Sequence, residues 1–565
     1  MFKNVFPSRF SIINAFAVLF LIVSSLVRLI FLAIDFSQIE HSFFGLVKIC
    51  CVGLFFDLGT ISFFYVVATL YFLLLPKKFY GSLADRIVSY FGLFVGLLIV
   101  YFSFFAEITF WDEFQRRFNF IAVDYLIYTY EVVKNINESY PLPILISGML
   151  LLVVLTIWLF KRKGVFNKAF GATTTFRQKL VPTLIALVLV SFYSGTIENE
   201  DAEISNNRYN NELSKAGIYS FFAAFRNNEL SYTEFYRTIP EQKALSMVEE
   251  RVKAPSDSLL NPQKNILRLV KGDVEKRPNV VLICVESLSA GYLGVFGNDE
   301  RLTPNLDSIA KAETYFTNLY ATGTRTVRGM EAITMAVPPT PGRSIVKREH
   351  NQDLYTIGEV FKSKGYARTF FYGGDGYFDN MDKFFSGNGF DIVDRGRGFL
   401  PSGDIVTKRN NIEDDEVTFE NAWGVCDEDI FNKVLKEADS SLKKRKPFFN
   451  FIMTTSNHKP YTYPGGRIDV PSGTGRSGAV KYTDYAIGDF LKKAQTKPWY
   501  KDTVFVIMAD HCASSAGKWE LDVANYHIPA IIVNADGLKG TQINQQCSQI
   551  DVMPTLFSLL GWEYK

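Results

Sequence analysis

The chain has 565 residues, of which 48% are hydrophobic and 15% aromatic, and its formal net charge is +2. This length allows two or three domains, and the apolar composition favours a membrane protein over a purely soluble one. With 60 basic and 58 acidic residues, the chain lacks the excess of positive charge that is typical of nucleic-acid-binding proteins.

Five apolar segments occur before residue 200, and each is near the roughly 20 residues needed to cross a bilayer. They cover about 11–34, 52–76, 87–110, 143–160 and 180–197, and the second has an apolar lead-in that starts near Phe43. A cleaved signal peptide is the alternative for the first segment, but four more apolar segments follow it. We therefore predict a transmembrane domain of five helices over residues 1–197.

Basic residues cluster before the first span, between spans two and three, and between spans four and five. Because cytoplasmic loops carry the Lys/Arg excess, the N-terminus is predicted to lie inside and everything after residue 198 outside. Asp57 is the clearest carboxylate within a span. A single such group favours an anchor or a lipid-facing platform over a conduction pathway.

The chain after the spans has a different composition. Residues 198–265 are rich in Asn, Glu, Ser and Lys, and we predict a helical linker there. From residue 266 onward, short apolar runs alternate with helix-like stretches; the runs are "NVVLICVES", "ARTFFYGG", "PFFNFIMTTS", "DTVFVIMADH" and "HIPAIIVNA". Such runs are typical of parallel strands buried on both faces. Residues 266–565 are therefore predicted to form an α/β domain with a mostly parallel central sheet.

Polar residues follow three of these predicted strands. Glu286 follows the first run, His458 comes shortly after the third, and Asp510 with His511 follows the fourth. Ligands of open α/β sheets bind at the carboxyl ends of the strands. Carboxylate and imidazole side chains suit zinc or manganese and leave a coordination position for a hydroxyl. A metal site is one interpretation, and ordinary strand-end residues are the other.

Six motifs occur in an order that is similar to a known family. They are "NVVLICVESL", "TPNLDSIA", "TGTRTVRGMEA", "TTSNHKPYTYP", "MADH" and "SQIDVMPTLFSLLG". Together with the five spans, they resemble the lipoteichoic-acid-synthase-like phosphoglycerol transferases, which belong to the sulfatase branch of the alkaline phosphatase superfamily. The resemblance covers essentially the whole chain and implies an alkaline phosphatase/sulfatase-like catalytic domain outside the membrane.

The resemblance implies a catalytic centre built around a divalent metal. Carried over by motif, Glu286, Asp510 and His511 are the expected metal ligands, and Thr326 is the expected nucleophile at the metal. The expected ion is Mn²⁺ or Zn²⁺, with Mg²⁺ as a third candidate. Thr324, in the same motif, is the fallback nucleophile.

Two further residues are expected to meet the phosphoryl group, the first from the resemblance and the second from its chemistry. His458 matches a histidine that contacts the phosphoryl group or substrate in the family. Arg328 is expected to hold phosphate oxygens, although pairing with Glu331 on the following helix is the alternative.

The head-group site departs from the family pattern. In the segment "FFYGGDGYFDNMDKFF", the synthases offer Trp and Arg for the glycerol phosphate, whereas this chain offers Asp379 and Met381. Asp379 and Asn380 are thus the expected substrate-binding residues. His527 resembles a histidine of the phosphoethanolamine transferases that belongs to the phosphate site or to a second metal site, and a structural role is the alternative.

The function implied by the resemblance is transfer of a phosphoglycerol-type head group through a phosphothreonine intermediate. The donor would be phosphatidylglycerol or phosphatidylethanolamine, the acceptor a glycolipid or glycan hydroxyl, and the location the bacterial cell (inner) membrane. Phosphoethanolamine transfer and a non-enzymatic receptor or assembly role remain as alternatives. Sulfate hydrolysis is disfavoured because "TRTVR" lacks the Cys or Ser followed by x-Pro-x-Arg that sulfatases convert to their nucleophile.

Overall fold

The computed structural model describes residues 8–126, 128–226, 237–252, 258–261, 264–398, 405–514, 517–519, 521–535 and 537–565. Contacts divide the chain into two units. The first unit comprises Met1–Thr129, Tyr140–Asn228 and Ala516–Asp522, and the second comprises Tyr130–Ser139, Glu229–Ser515 and Val523–Lys565. The first part of the predicted linker therefore belongs with the membrane helices, and a short segment between two spans belongs with the α/β domain.

Long apolar helices dominate the first unit. Helices α1 to α10 are, in chain order, Ser11–Ile34, Phe43–Leu74, Leu83–Phe114, Phe120–Asp124, Thr129–Ser139, Leu142–Arg162, Val165–Phe170, Phe176–Thr196, Arg208–Ser214 and Gly217–Arg226. Of the described residues, α1, α2, α3, α6 and α8 have the length and hydropathy to cross a membrane. The five predicted spans are confirmed, and the chain is a multi-pass membrane protein.

Helix α2 starts earlier than the predicted span. It begins at Phe43 because Ser42 caps it, with the Ser42 hydroxyl accepting a hydrogen bond from the backbone N–H of Gly45. The apolar lead-in is thus a continuation of the same helix.

The intramembrane carboxylate Asp57 is paired within the bundle. Arg28 of α1 donates from Nη1 and Nη2 to Asp57 Oδ2, at 3.1 Å each, and the Ser24 hydroxyl donates to Oδ1 at 2.6 Å. A buried charge in a membrane needs such a partner. The pairing fits a static anchor better than a conduction pathway.

The second unit is organised around a nine-stranded sheet. Strands β1 to β9 are Asn279–Val285, Thr314–Phe316, Ala367–Tyr372, Asp391–Asp394, Arg409–Asn411, Phe448–Met453, Thr503–Ala509, Ala530–Val533 and Gln542–Ile543. Their spatial order is β9-β2-β8-β7-β1-β6-β3-β4-β5. Only β8 runs antiparallel to its neighbours among these strands. The predicted α/β domain with a mostly parallel sheet is confirmed.

The three central strands β7, β1 and β6 bring their carboxyl ends to one edge of the sheet. Six of the seven residues of β1 are buried, as expected for an apolar strand covered on both faces. Helices α11 to α18 are Glu241–Val252, Pro304–Ala312, Thr326–Met335, Ile357–Ser363, Met381–Gly387, Asp427–Lys443, Arg476–Gln495 and Val552–Leu559. Because β1 is parallel to both β6 and β7, the polar residues that follow these strands are neighbours.

Candidate active site

Glu286 and Asp510 occupy equivalent positions at the ends of adjacent strands. Val285, the last residue of β1, lies opposite Ala509, the last residue of β7. Glu286 and Asp510 follow them directly and are 1% and 0% exposed. The sheet register thus brings two buried carboxylates side by side.

Thr326 and His511 complete a four-residue cluster with these carboxylates. Thr326 is the first residue of α13, and its hydroxyl donates to Glu286 Oε2 at 3.1 Å and lies 3.5 Å from His511 Nε2. His511 Nε2 is 3.4 Å from Asp510 Oδ2 and 3.5 Å from Glu286 Oε1. The four residues expected from the family resemblance are therefore close enough to share one ion.

The cluster has the properties of a cation site. Candidate ligand atoms of Glu286, Asp510 and His511 all lie within 4.8 Å of one another. Asp510 Oδ2 is buried and accepts no hydrogen bond within the described part of the chain. A buried carboxylate oxygen that accepts no hydrogen bond is costly, and a cation would satisfy it together with the imidazole 3.4 Å away. Two carboxylates, an imidazole and a hydroxyl suit zinc or manganese, and the role of these residues as ligands remains a prediction.

The three titratable groups perturb one another strongly. Burial, reinforced by the charge of Glu286, raises the pKa of Asp510 to about 7. Burial lowers the pKa of His511, but the carboxylates of Asp510 and Glu286 outweigh this effect and raise it to about 9. Burial also opposes ionisation of Glu286, yet His458 and His511 hold the pKa of that carboxyl well below its usual range. Such mutual perturbation is typical of functional sites.

Backbone and side-chain hydrogen bonds fix Asp510 in place. Its Oδ1 accepts from the N–H of Ser287 at 2.8 Å and from the N–H of His511 at 2.7 Å. Gln549, from the last sequence motif, donates from Nε2 to the Asp510 carbonyl at 2.7 Å. The motif near the end of the chain thus supplies a side chain that contacts Asp510 of the "MADH" motif.

His458 borders the cluster and is oriented by a tryptophan. His458 Nε2 lies 3.4 Å from Glu286 Oε2. The Trp423 ring stacks on the His458 ring with centroids 4.1 Å apart, and Trp423 Nε1 donates to the Lys459 carbonyl at 2.5 Å. Sequence reasoning missed Trp423, whose only signal is a Trp-Gly pair in a polar stretch.

Helix α5 braces the hairpin that carries Trp423. This hairpin consists of two short strands, Glu420–Asn421 and Gly424–Val425. Lys134 of α5 donates from Nζ to the Asn421 carbonyl at 3.1 Å, and the Ala422 N–H donates to Glu138 Oε2 at 2.8 Å. Residues near a membrane span thereby support the surroundings of His458.

Asp379 and Asn380 lie in a segment that already has partners. Asp379 Oδ1 is 3.2 Å from Lys347 Nζ, and Asn380 Nδ2 donates to the Val346 carbonyl at 2.8 Å. Burial raises the pKa of the Tyr372 hydroxyl, and the charges of Glu286 and Asp379 raise it further, so this hydroxyl remains protonated. Contact of Asp379 or Asn380 with substrate remains a prediction.

Two expected substrate contacts have other partners in the structure. Arg328 Nη1 pairs with Glu331 Oε2 at 2.8 Å, and Nη2 donates to the Gly342 carbonyl. Residues three apart share one side of a helix, so the ion pair satisfies this guanidinium locally. His527 Nε2 lies 3.1 Å from the Thr317 carbonyl, and its ring contacts Phe296. Both residues thus have the local partners expected of the structural alternative, and phosphate binding by either one stays a prediction.

We expect Gly329→Ala to damage the site through the backbone. A Cβ at Gly329 would lie 2.5 Å from the Asp510 carbonyl oxygen, where helix α13 passes the end of β7. Backbone atoms cannot move aside as a flexible side chain would, so overpacking should cost about 1–3 kcal/mol of unfolding free energy. Thermal unfolding measures this loss. Gly291→Ala is the matched control, because a Cβ there meets nothing within 4 Å; equal melting temperatures for the two variants would contradict the prediction.

The second unit matches a known protein family. The model of the sulfatase family matches residues 278–562, about half of the chain. A crystal structure of a protein in the alkaline phosphatase superfamily from Vibrio parahaemolyticus is 38% identical, with a TM-score of 0.52. That match covers 59% of this chain and 78% of the other.

Two curated relatives are similar over part of their length. Phosphoglycerol transferase I of Salmonella arizonae is 28% identical over 257 residues, which are 43% of this chain and 32% of the relative. Lipoteichoic acid synthase 2 of Bacillus subtilis is 25% identical over 312 residues, which are 51% of this chain and 45% of the relative. The match spans less than half of each of these relatives.

One solved structure resembles the whole chain in fold. It is the integral membrane protein lipooligosaccharide phosphoethanolamine transferase A from Neisseria meningitidis, with a TM-score of 0.54 over 97% of this chain and 95% of the other. At 15% identity this likeness concerns the fold alone. It agrees with five apolar helices followed by a sulfatase-like domain.

Proposed function

Because this chain belongs to the sulfatase family of the alkaline phosphatase superfamily, we propose that it is a membrane-anchored, metal-dependent phosphotransferase. It moves a phosphoglycerol-type head group from a phospholipid to an acceptor hydroxyl through a phosphothreonine intermediate. The similarity to phosphoglycerol transferase I and to lipoteichoic acid synthase 2 supports this choice of group. The five apolar helices support an anchor in the membrane that supplies the donor lipid.

The observation that carries the proposal is the position of Thr326. Its hydroxyl lies at the start of α13 and 3.1 Å from a buried carboxylate of the candidate cation site. The N–H groups of a first helical turn have no partner within the helix, and the helix dipole favours an anion there. A phosphate attached to Thr326 would therefore be stabilised by the helix start as well as by the cluster.

Glu286, Asp510, His511 and Thr326 are the residues that would hold the metal. A divalent ion lowers the pKa of a coordinated hydroxyl and neutralises charge on phosphoryl oxygens. The donor set leaves Mn²⁺ and Zn²⁺ as candidates, with Mg²⁺ as a third: the imidazole nitrogen suits Zn²⁺ best, and the carboxylates also suit Mn²⁺ and Mg²⁺.

The transfer has two steps, which use Thr326 and His458. In the first, the deprotonated Thr326 oxygen attacks the head-group phosphorus, and the bond from phosphorus to the diacylglycerol oxygen breaks. His458 gives its proton to that oxygen, and diacylglycerol leaves. In the second, an acceptor hydroxyl gives its proton to His458 and attacks the phosphorus, which releases Thr326. Stacking on Trp423 holds the imidazole in a fixed plane for both proton transfers.

The membrane orientation follows from the distribution of basic residues. With the N-terminus inside, the second unit faces the extracytoplasmic side of a bacterial cell membrane. The donor is then a phospholipid of the outer leaflet, phosphatidylglycerol or phosphatidylethanolamine, and the acceptor is a glycolipid or glycan.

A panel of donor lipids tests the head group. Full-length protein in phosphatidylcholine vesicles is given phosphatidylglycerol or phosphatidylethanolamine with Mn²⁺ or Zn²⁺, and products are identified by mass spectrometry. We expect diacylglycerol from phosphatidylglycerol, together with an adduct of one phosphoglycerol on the peptide that contains Thr326. Consumption of phosphatidylethanolamine instead would assign phosphoethanolamine transfer. Release of diacylglycerol from neither lipid, in metal-loaded protein, would contradict the proposal.

A further inference from the structure

The membrane helices enclose an apolar groove that is separate from the Glu286 cluster. The groove has a volume of about 820 Å³ and is formed by residues of α1, α2, α3 and α10, with α8 at one end. Its walls include Phe16, Phe64, Val67, Gly92 and Phe222. In a bilayer, lipid is the solvent that meets such a surface.

The groove is long enough to hold much of an acyl chain. Along α2 its lining extends from Thr60 to Phe72, twelve residues apart. At about 1.5 Å per residue this is about 18 Å. The hydrocarbon core of a bilayer is about 30 Å thick. The groove is therefore more than half as long as the hydrocarbon core is thick, and its far end lies near the end of a span, two residues before the end of α2.

One end of the groove is polar and cationic. Arg226 alone carries a charge among the described residues that line it, and Ser194, near the end of α8, lies beside it. Arg226 Nη1 donates to the Ser194 carbonyl. The Tyr219 hydroxyl donates to the Tyr193 carbonyl at 2.6 Å and to the Ile197 carbonyl at 2.8 Å, which ties α10 to the last turn of α8. This polar end, the mouth of the groove, therefore lies near the end of α8, where α8 leaves the membrane.

We infer that the groove binds a phospholipid, with one acyl chain between α2 and α3 and the phosphate on Arg226. A guanidinium has five N–H donors, so hydrogen bonds to the Ser194 carbonyl and to the Tyr219 hydroxyl leave others for phosphate oxygens. The apolar walls match an acyl chain and the single cation at the mouth matches an anionic head group. The site is a lipid-binding site in its own right and does not depend on turnover at Thr326.

Two glycines provide a matched pair of variants. A Cβ at Gly92 of α3 meets nothing within 4 Å, and the same is true of Gly148 of α6. Gly92 lines the groove, whereas Gly148 does not. Gly92→Phe should therefore fill the groove without disturbing the bundle, and Gly148→Phe places the same ring on another surface.

The test is photolabelling of full-length protein in vesicles of phosphatidylcholine and phosphatidylglycerol. The probe is a phosphatidylglycerol with a diazirine on one acyl chain, and a diazirine diacylglycerol, which lacks the phosphate, is the second probe. In wild type and in Gly148→Phe, labelled peptides should concentrate on α2 and α3. Gly92→Phe should lose most of this labelling. Arg226→Gln should reduce labelling by the phospholipid about tenfold, the effect of one lost charged hydrogen bond, and leave labelling by diacylglycerol unchanged.

Three results would overturn the inference: equal labelling of Gly92→Phe and Gly148→Phe, labels spread evenly over all five spans, or a crosslink between two copies of the protein at α3 in place of lipid. Labelling in a Thr326→Ala background separates this inference from the proposed function. Labels retained in that variant support the lipid site whether or not transfer occurs. A Gly92→Leu variant repeats the comparison with a smaller side chain if the Phe variant fails to fold.

Discussion

Thr326→Ala should abolish head-group transfer while leaving the fold and the metal content nearly intact. The variant keeps Glu286, Asp510 and His511 but loses the oxygen that forms the phosphothreonine ester. Loss of a nucleophile in an enzyme with a covalent intermediate lowers kcat by roughly 10⁴-fold or more. The measurement is release of diacylglycerol from the donor lipid, together with the mass of the peptide that contains residue 326.

Thr324→Ala is the matched control for this experiment. It removes the same kind of hydroxyl two residues earlier, just before α13 begins, so it tests whether the position of the hydroxyl matters. We expect the Thr324 variant to retain most of its activity and its covalent adduct. The reverse pattern, with the adduct lost in Thr324→Ala and kept in Thr326→Ala, would move the nucleophile to the fallback position.

Glu286→Gln should remove the bound metal and, with it, the stabilisation that metal provides. The substitution keeps the shape of the side chain but removes a charge that is 1% exposed and 3.5 Å from His511 Nε2. Loss of a residue that only hydrogen-bonds to a metal ligand weakens metal binding about 10–100-fold. Loss of a carboxylate that binds the metal directly should therefore weaken metal binding more than about 100-fold. The metal content after dialysis, measured by mass spectrometry, reports the loss.

Thermal unfolding gives a second measure of the same effect. A ligand at 100 times its Kd stabilises the folded state by about 2.7 kcal/mol, so Mn²⁺ or Zn²⁺ should raise the melting temperature of the wild type but not of Glu286→Gln. Glu331→Gln is the control, because it makes the same change at a buried carboxylate that pairs with Arg328. A Glu286→Gln protein that retains its metal would show that this carboxylate is not a ligand.

The sequence was sufficient to predict the sheet and the cluster at its edge, for a clear physical reason. Strands such as Asn279–Val285 and Thr503–Ala509 are apolar throughout, and a polar residue directly after such a strand emerges at the sheet edge. Glu286 and Asp510 could therefore be placed together before the register was known. The motif resemblance added Thr326, which periodicity could not select from its neighbouring threonines.

Contacts between distant segments could not be predicted in this way. The partner of Arg328 cannot be chosen from the sequence, because a guanidinium at the start of a helix can reach either a ligand or a residue one turn further along. Trp423 lies on a two-stranded hairpin with no hydrophobic alternation, so nothing in its local sequence connects it with His458. The grouping of Tyr130–Ser139 with the α/β domain depends on contacts that only the folded chain reveals.

Helix α5 makes the second unit discontinuous along the chain, with consequences for how the protein matures. Its contacts with the Trp423 hairpin join residues 284 and 287 positions apart. The ribosome synthesises α5 long before it synthesises the hairpin. Contacts between residues so far apart in sequence form slowly, because closing the long intervening loop costs conformational entropy. Residues 229–565 on their own would contain every member of the Glu286 cluster and lack the helix beneath Trp423. Biogenesis of a competent site is therefore coupled to insertion of the third and fourth spans.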